Sequence, residues 1–193
     1  MKTRTMALVV LATAGVLAVG LVGVILLGRL LQGVREELST ETARQQFVAQ
    51  WRPPLELSEH AVFPPRIDGH AVGVAEVNPV LTAPALELAG VRTTYTRPGA
   101  PAVEVFVARA NDLEAQAVFQ RMREAFRGRS GSRLVVEVPG RLRLSAGAAG
   151  ELETVEVWSL QGWLLIFRAK GELDAGFIRA YLVAVAGRSG RNL

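Results

Sequence analysis

Cysteine is absent from this chain, lysine occurs only at Lys2 and Lys170, and histidine only at His60 and His70. Without a thiol there is no disulfide, no thiolate nucleophile, no cysteine-ligated zinc or iron–sulfur cluster, and no lipid anchor on a cysteine. The two histidines, with Glu59 and Asp68 nearby, match no local ligand spacing, and a structural zinc takes four nitrogen or sulfur donors. They are expected to be exposed loop residues.

Other signatures of chemistry are missing as well. No serine sits in a Gly-x-Ser-x-Gly elbow. Gly128-Arg129-Ser130-Gly131-Ser132 has the composition of a phosphate loop but follows a helical segment and lacks the Gly-Lys-Ser/Thr end, so it reads as a connection. Glu104, Glu137, Glu151, Glu153 and Glu156 lie on or beside alternating segments, and alternation assigns them to a solvated face. No catalytic residue, cofactor or metal is expected, and the chain is not read as an enzyme. Nucleic acid is excluded on charge. The net charge is +4, Lys2 and Arg4 carry two of those charges, and most of the arginines alternate with glutamate or stand singly instead of clustering.

What the chain does contain is a long apolar run. Between Arg4 and Arg29 stand 24 residues without a charge. As a helix they span roughly 36 Å, enough for a hydrocarbon core of about 30 Å. A cleavable signal peptide carries a shorter apolar region followed by a small-residue site. Here the one such site, Ala12-Thr13-Ala14, falls in mid-run, so residues 5–28 are expected to stay as a signal-anchor helix. The N-terminal flank holds Lys2 and Arg4. The distal flank balances Arg29 and Arg35 with Glu36 and Glu37, which places residues 1–4 in the cytoplasm and the rest outside. A cytoplasmic stub of four residues leaves no room for a signalling domain there.

Beyond the anchor, Leu30, Leu31, Val34, Leu38 and Phe47 recur at near-helical spacing, which predicts a stalk over residues 29–52 ended by Pro53-Pro54. Residues 53–193 are long enough for one core. Within them the alternation predicts a strand over 70–77 and a hairpin of Val91–Thr96 with Val103–Val107. Asn111 is expected to cap a helix, with Glu114 completing a capping box and Gly128 ending it. Further strands are expected at 134–138 and at Leu142 and Leu144, then a tight hairpin of 154–159 with 163–168 about Gln161-Gly162. Leu173, Phe177, Tyr181 and Val185 mark a last helix ended by Gly187. The predicted fold class is α+β, a mainly antiparallel sheet with two helices packed on one face.

Trp158, Trp163, Tyr95 and Phe106 are the candidate site residues, read either as core or as an interaction patch, since tryptophan is enriched at binding hot spots. Phe63-Pro64-Pro65-Arg66-Ile67-Asp68-Gly69, with the strand–helix–hairpin–helix order after it, is similar to small extracytoplasmic bacterial domains that carry no assigned activity. The resemblance implies location and fold class only. The anchor–stalk–sheet plan also resembles that of type IV pilins. Their processing motif is a glycine followed by an aromatic and then a glutamate, whereas Thr3-Arg4-Thr5-Met6 stands there, so only the architecture is kept.

The expected function is a single-pass extracytoplasmic binding protein of the bacterial cell membrane. It would serve as an accessory subunit or assembly partner of a membrane or envelope complex, with a protein partner and no nucleic acid. The alternative is a tethered small-ligand or lipid-binding module with a pocket between sheet and helices. A protease added to intact spheroplasts should degrade the region after Arg29 while sparing a tag at Met1; protection of both ends would contradict the orientation.

Overall fold

The computed structural model describes residues 41–83, 86–148 and 150–188. The apolar run 5–28 and the first part of the expected stalk lie outside these residues. Among the described residues, no helix is long and apolar enough to cross a membrane. The chain divides into two compact units, residues 1–50 and 51–193. In the first, helix α1 (residues 41–50) carries Glu41, whose carboxylate accepts from Arg44 at 2.8 Å and from Gln45 at 3.2 Å, one turn along the same face.

The second unit is an α+β domain with a mainly antiparallel sheet. Its elements are α2 (Glu59–Val62), β1 (Arg66–Ile67), β2 (His70–Val72), β3 (Glu76–Ala83), β4 (Leu86–Thr96), β5 (Val103–Arg109) and α3 (Asp112–Phe126). They are followed by β6 (Arg133–Val138), β7 (Arg141–Ala146), β8 (Glu153–Leu160), β9 (Trp163–Lys170) and α4 (Ala175–Val185). The strands lie in the order β1-β2-β4-β5-β9-β8-β7-β6, with β3 also paired to β4. Every pairing is antiparallel.

Strand parity decides what each face carries. The register sets Val105 against Phe167 and Phe106 against Ile166, so neighbours on one strand point to opposite faces. On one face Phe106, Ala108, Leu164, Ile166, Val155 and Leu142 pack with Ala115, Val118 and Phe119 of α3. On the other face Phe167 meets Tyr181 of α4 with ring centroids 5.2 Å apart, and Tyr95 meets Phe177 at 5.5 Å. The two helices therefore cover opposite faces, which corrects the expectation that they share one. The cause is visible in β9, where Leu164, Leu165, Ile166 and Phe167 are buried in succession. A strand apolar at both parities requires a layer on each side.

Two local expectations also change. The run 70–77 is not one strand: it breaks after Val72, and both pieces pair with the same edge of β4, Val72 beside Tyr95 and Val77 beside Val91. The β3–β4 hairpin was not expected, because Pro79 punctuates it. The register shifts between Val77 and Val80. A bulge on a strand of this kind accommodates a residue without an N–H.

Other elements form where expected. Asn111 accepts at 3.0 Å from both Leu113 N and Glu114 N, while the Glu114 carboxylate accepts from Asn111 N at 2.7 Å. The β8–β9 turn holds Gln161 at φ 50° and Gly162 at φ 80°, the left-handed pair that a two-residue hairpin needs.

Gly90 is required for a different reason. A β-carbon there would meet the backbone oxygen of Val107 first, and then the Phe106 ring, 2.6 Å from Cζ and 2.8 Å from Cε2. Gly90→Ala should therefore displace that ring and press on the β5 backbone, costing roughly 1–3 kcal/mol by overpacking, read as a lower urea midpoint. Asn111→Ala should cost about 1 kcal/mol through the lost cap.

Candidate ligand-binding cleft

Helix α3 packs over β7, β8 and the β3 ribbon. Beside its flank a cleft of about 240 Å³ opens onto the sheet. Phe106, Ile166 and Val155 give it an apolar floor from the sheet, and Met122 and Phe126 contribute apolar surface from α3. Four guanidinium groups border it: Arg92 on β4, Arg121 on α3, Arg129 just after α3, and Arg168 on β9. Parity explains the change from apolar to charged. Phe106 pairs with Ile166, and two residues along on the same face Glu104 pairs with Arg168. A shallower depression of about 400 Å³ continues across that face, reaching Thr94, Ala102 and Lys170 and sharing Glu104 and Arg168 with the cleft.

The rim charges are partly committed. Arg92 donates through Nε at 3.0 Å and Nη2 at 2.6 Å to Glu76 Oε2, a bond that holds its pKa above the ordinary value against the opposing pull of burial. Glu153 accepts from Arg129 Nη2 at 2.8 Å and Arg168 Nε at 2.5 Å. Burial pushes the Glu153 carboxyl upward, but those two hydrogen bonds and the charges behind them outweigh it, and the net pKa lies below the usual value. The Arg121 guanidinium has no hydrogen-bond or ion-pair partner among the described residues. A guanidinium carries five N–H donors, so the bonds made by Arg129 and Arg168 leave most of theirs available.

The four candidate residues from the sequence do not form a patch. All are buried. Tyr95, Trp158 and Trp163 belong to the α4 face, while Phe106 points to the α3 face and alone lines the cleft. Tyr95 donates its hydroxyl to Pro64 O at 2.9 Å, and burial pushes its phenol upward. Trp163 lies under Arg109, whose Cζ is 3.8 Å from the ring centroid. The physical reason is hairpin register, which sends residues of opposite parity to opposite layers whatever their chemistry.

Two further expectations are corrected. His70 is buried, its ring 4.9 Å from that of Phe177, whereas His60 is exposed beside Glu59. Glu156 is fully buried and not on a solvated face. It accepts from Arg141 Nε at 2.7 Å and Trp158 Nε1 at 2.8 Å, with Arg143 Nη1 at 3.5 Å. Arg143 also donates to Leu173 O at 2.5 Å, tying β7 to the approach to α4. This buried cluster was missed, although Glu156 shares the parity of Trp158 and its cross-strand neighbour is Arg143. Among the described residues, no group of three or more His, Asp or Glu gathers in a way that could hold a metal ion.

No protein-family model matches the chain, and no curated protein matches it. Among solved structures, the crystal structure of a GTP binding regulator from Thermotoga maritima aligns at a TM-score of 0.45 and 16% identity, covering 70% of this chain and 89% of that one. A likeness of that size carries no argument about fold or ligand.

The Glu153 triad predicts a pH signature. A carboxyl with a depressed folded pKa stabilises above its ordinary value near 4.5, and that contribution fades as pH falls through the depressed value. Glu153→Gln should lower stability at pH 7 by at most about 1 kcal/mol, since its arginines are well exposed. The gap to the parent chain should narrow at pH 3, as measured by denaturant midpoints at both values.

Proposed function

We propose that this protein is a single-pass, membrane-tethered extracytoplasmic binding protein whose α3 cleft is its ligand site. The observation that carries the reading is the cleft: a concave apolar floor with convergent polar groups at its border, the usual make-up of a small-molecule site. The uncharged run 5–28 supports the tether.

A second reading, an accessory subunit of a membrane complex, draws on the β3 edge of the sheet. Val74 just before β3 and Val77 on it are 95% and 58% exposed, apolar side chains in water of the kind that marks protein contacts.

The two readings part in one experiment. The full-length chain is taken from its native membrane in polymer-bounded lipid particles and examined by native mass spectrometry. The cleft reading expects a small molecule retained at one per chain and lost from Ala125→Trp, a variant that fills the cleft from an exposed helical position. A protein partner held at fixed stoichiometry by both chains, with no small molecule on either, would overturn it in favour of the accessory subunit.

A further inference from the structure

We infer that the cleft takes a single-chain anionic amphiphile, its apolar tail on the Phe106–Ile166 floor and its carboxylate or phosphate monoester among Arg121, Arg168 and Arg129. The inference rests on the binding reading above and adds the chemical class of the ligand.

Three observations converge on it. The first is the order of surfaces along the α3 face. Phe106 and Ile166 form one cross-strand pair, and Glu104 and Arg168 form the next on that face, so apolar floor and charged border stand one step apart along the strands. A ligand lying along β5 and β9 would meet hydrocarbon and then charge, which is the build of an amphiphile.

The second observation is charge. The cleft is lined by four arginines and one carboxylate, Glu104. Glu76 and Glu153 answer three of the arginines from the margin, which leaves one positive charge in excess. Arg121 supplies it: among the described residues it has no acceptor. A guanidinium in that state suits a planar or tetrahedral oxyanion through paired N–H bonds.

The third is size. At about 240 Å³ the enclosed part is smaller than most drug-sized sites, and the adjoining depression of about 400 Å³ is open. A single narrow chain fits the cleft, its tail on the Phe106–Ile166 floor and its charged end at the polar trough. A double-chained lipid would leave its second chain against Glu104, Glu153 and Lys170. A bare anion would leave the floor uncovered.

Met122 gives a direct reporter. It lines the cleft, and the chain's other methionines, Met1 and Met6, fall before residue 51. The full-length chain carrying carbon-13 methyl-methionine is placed in phosphatidylcholine nanodiscs and titrated with dodecanoate, dodecyl phosphate, dodecanol and inorganic phosphate. The inference expects a saturable shift of the Met122 methyl with one or both anionic amphiphiles and none with inorganic phosphate. It also expects at least about tenfold weaker binding by dodecanol and by Arg121→Glu, the size of one lost charged contact. Dodecanoate and dodecyl phosphate compared with each other separate a carboxylate from a phosphate headgroup. Equal binding of dodecanol would overturn the anionic assignment while leaving the cleft a ligand site. An equal shift with inorganic phosphate would overturn the requirement for a tail. Silence of Met122 to all four would overturn the inference, and the native mass measurement then decides separately whether the binding reading also falls.

Discussion

The antiparallel seam between β5 and β9 is the constraint from which the rest of the domain follows. Both strands are apolar at both parities, so neither face of the seam can be left to water. One layer has to come from α3 and the other from α4 with the segment around Trp51, Val62 and Phe63. At roughly 25 cal/mol per Å² of apolar surface, exposing either side would remove a large part of what holds a domain of this size together. On the α4 side both strands stay apolar along the seam, whereas on the α3 side they turn from Phe106 and Ile166 to Glu104 and Arg168, and there the floor of the cleft meets its charged border.

Much of this was legible in the sequence, and the failures have physical causes. The capping box at Asn111 and Glu114 and the Gln161-Gly162 turn are local, each decided by a few side chains and one backbone conformation. The α4 stripe of Phe177, Tyr181 and Val185 was readable for the same reason. What escaped was non-local. Alternation tells that Glu156 and Val157 face opposite ways but not which way is out, because in a sheet covered on both sides neither parity is solvent. For that reason the pattern alone assigns Glu156 to water and both helices to one layer, and the second layer becomes visible only with the strand order. His70 illustrates the same point: its place in a strand is readable from alternation, but that its ring turns inward against Phe177 of α4 depends on a contact more than a hundred residues away. As for the cleft, its arginines come from β4, α3, the following loop and β9, and no spacing along the chain announces such a set.

Two arginine clusters among the described residues show how setting changes the meaning of one side chain. Arg141 and Arg143 converge on a carboxylate with no exposure at all, where removing either partner would strand a charge away from water. They hold β7, β8 and the start of α4 in place and offer nothing to a ligand. Arg121, Arg129 and Arg168 stand at an opening, share carboxylates too few to saturate them, and keep donors turned toward solvent. Composition does not distinguish these two groups of arginines; burial does.

The seam has a further consequence for how the chain reaches its folded state. The residues that meet across β5 and β9 stand more than fifty positions apart, and α3, β6, β7 and β8 are all made between them. A polypeptide emerging from its N-terminus completes β5 long before β9 exists, so Val105 and Phe106 wait without their covering strand until nearly the whole chain has appeared. Closing so long a loop is entropically slow, and the interval leaves sticky surface uncovered. If the domain is threaded through a membrane as it is made, acquisition of structure has to follow export instead of accompanying it, and any helper that shields the nascent chain would act on β3 to β5.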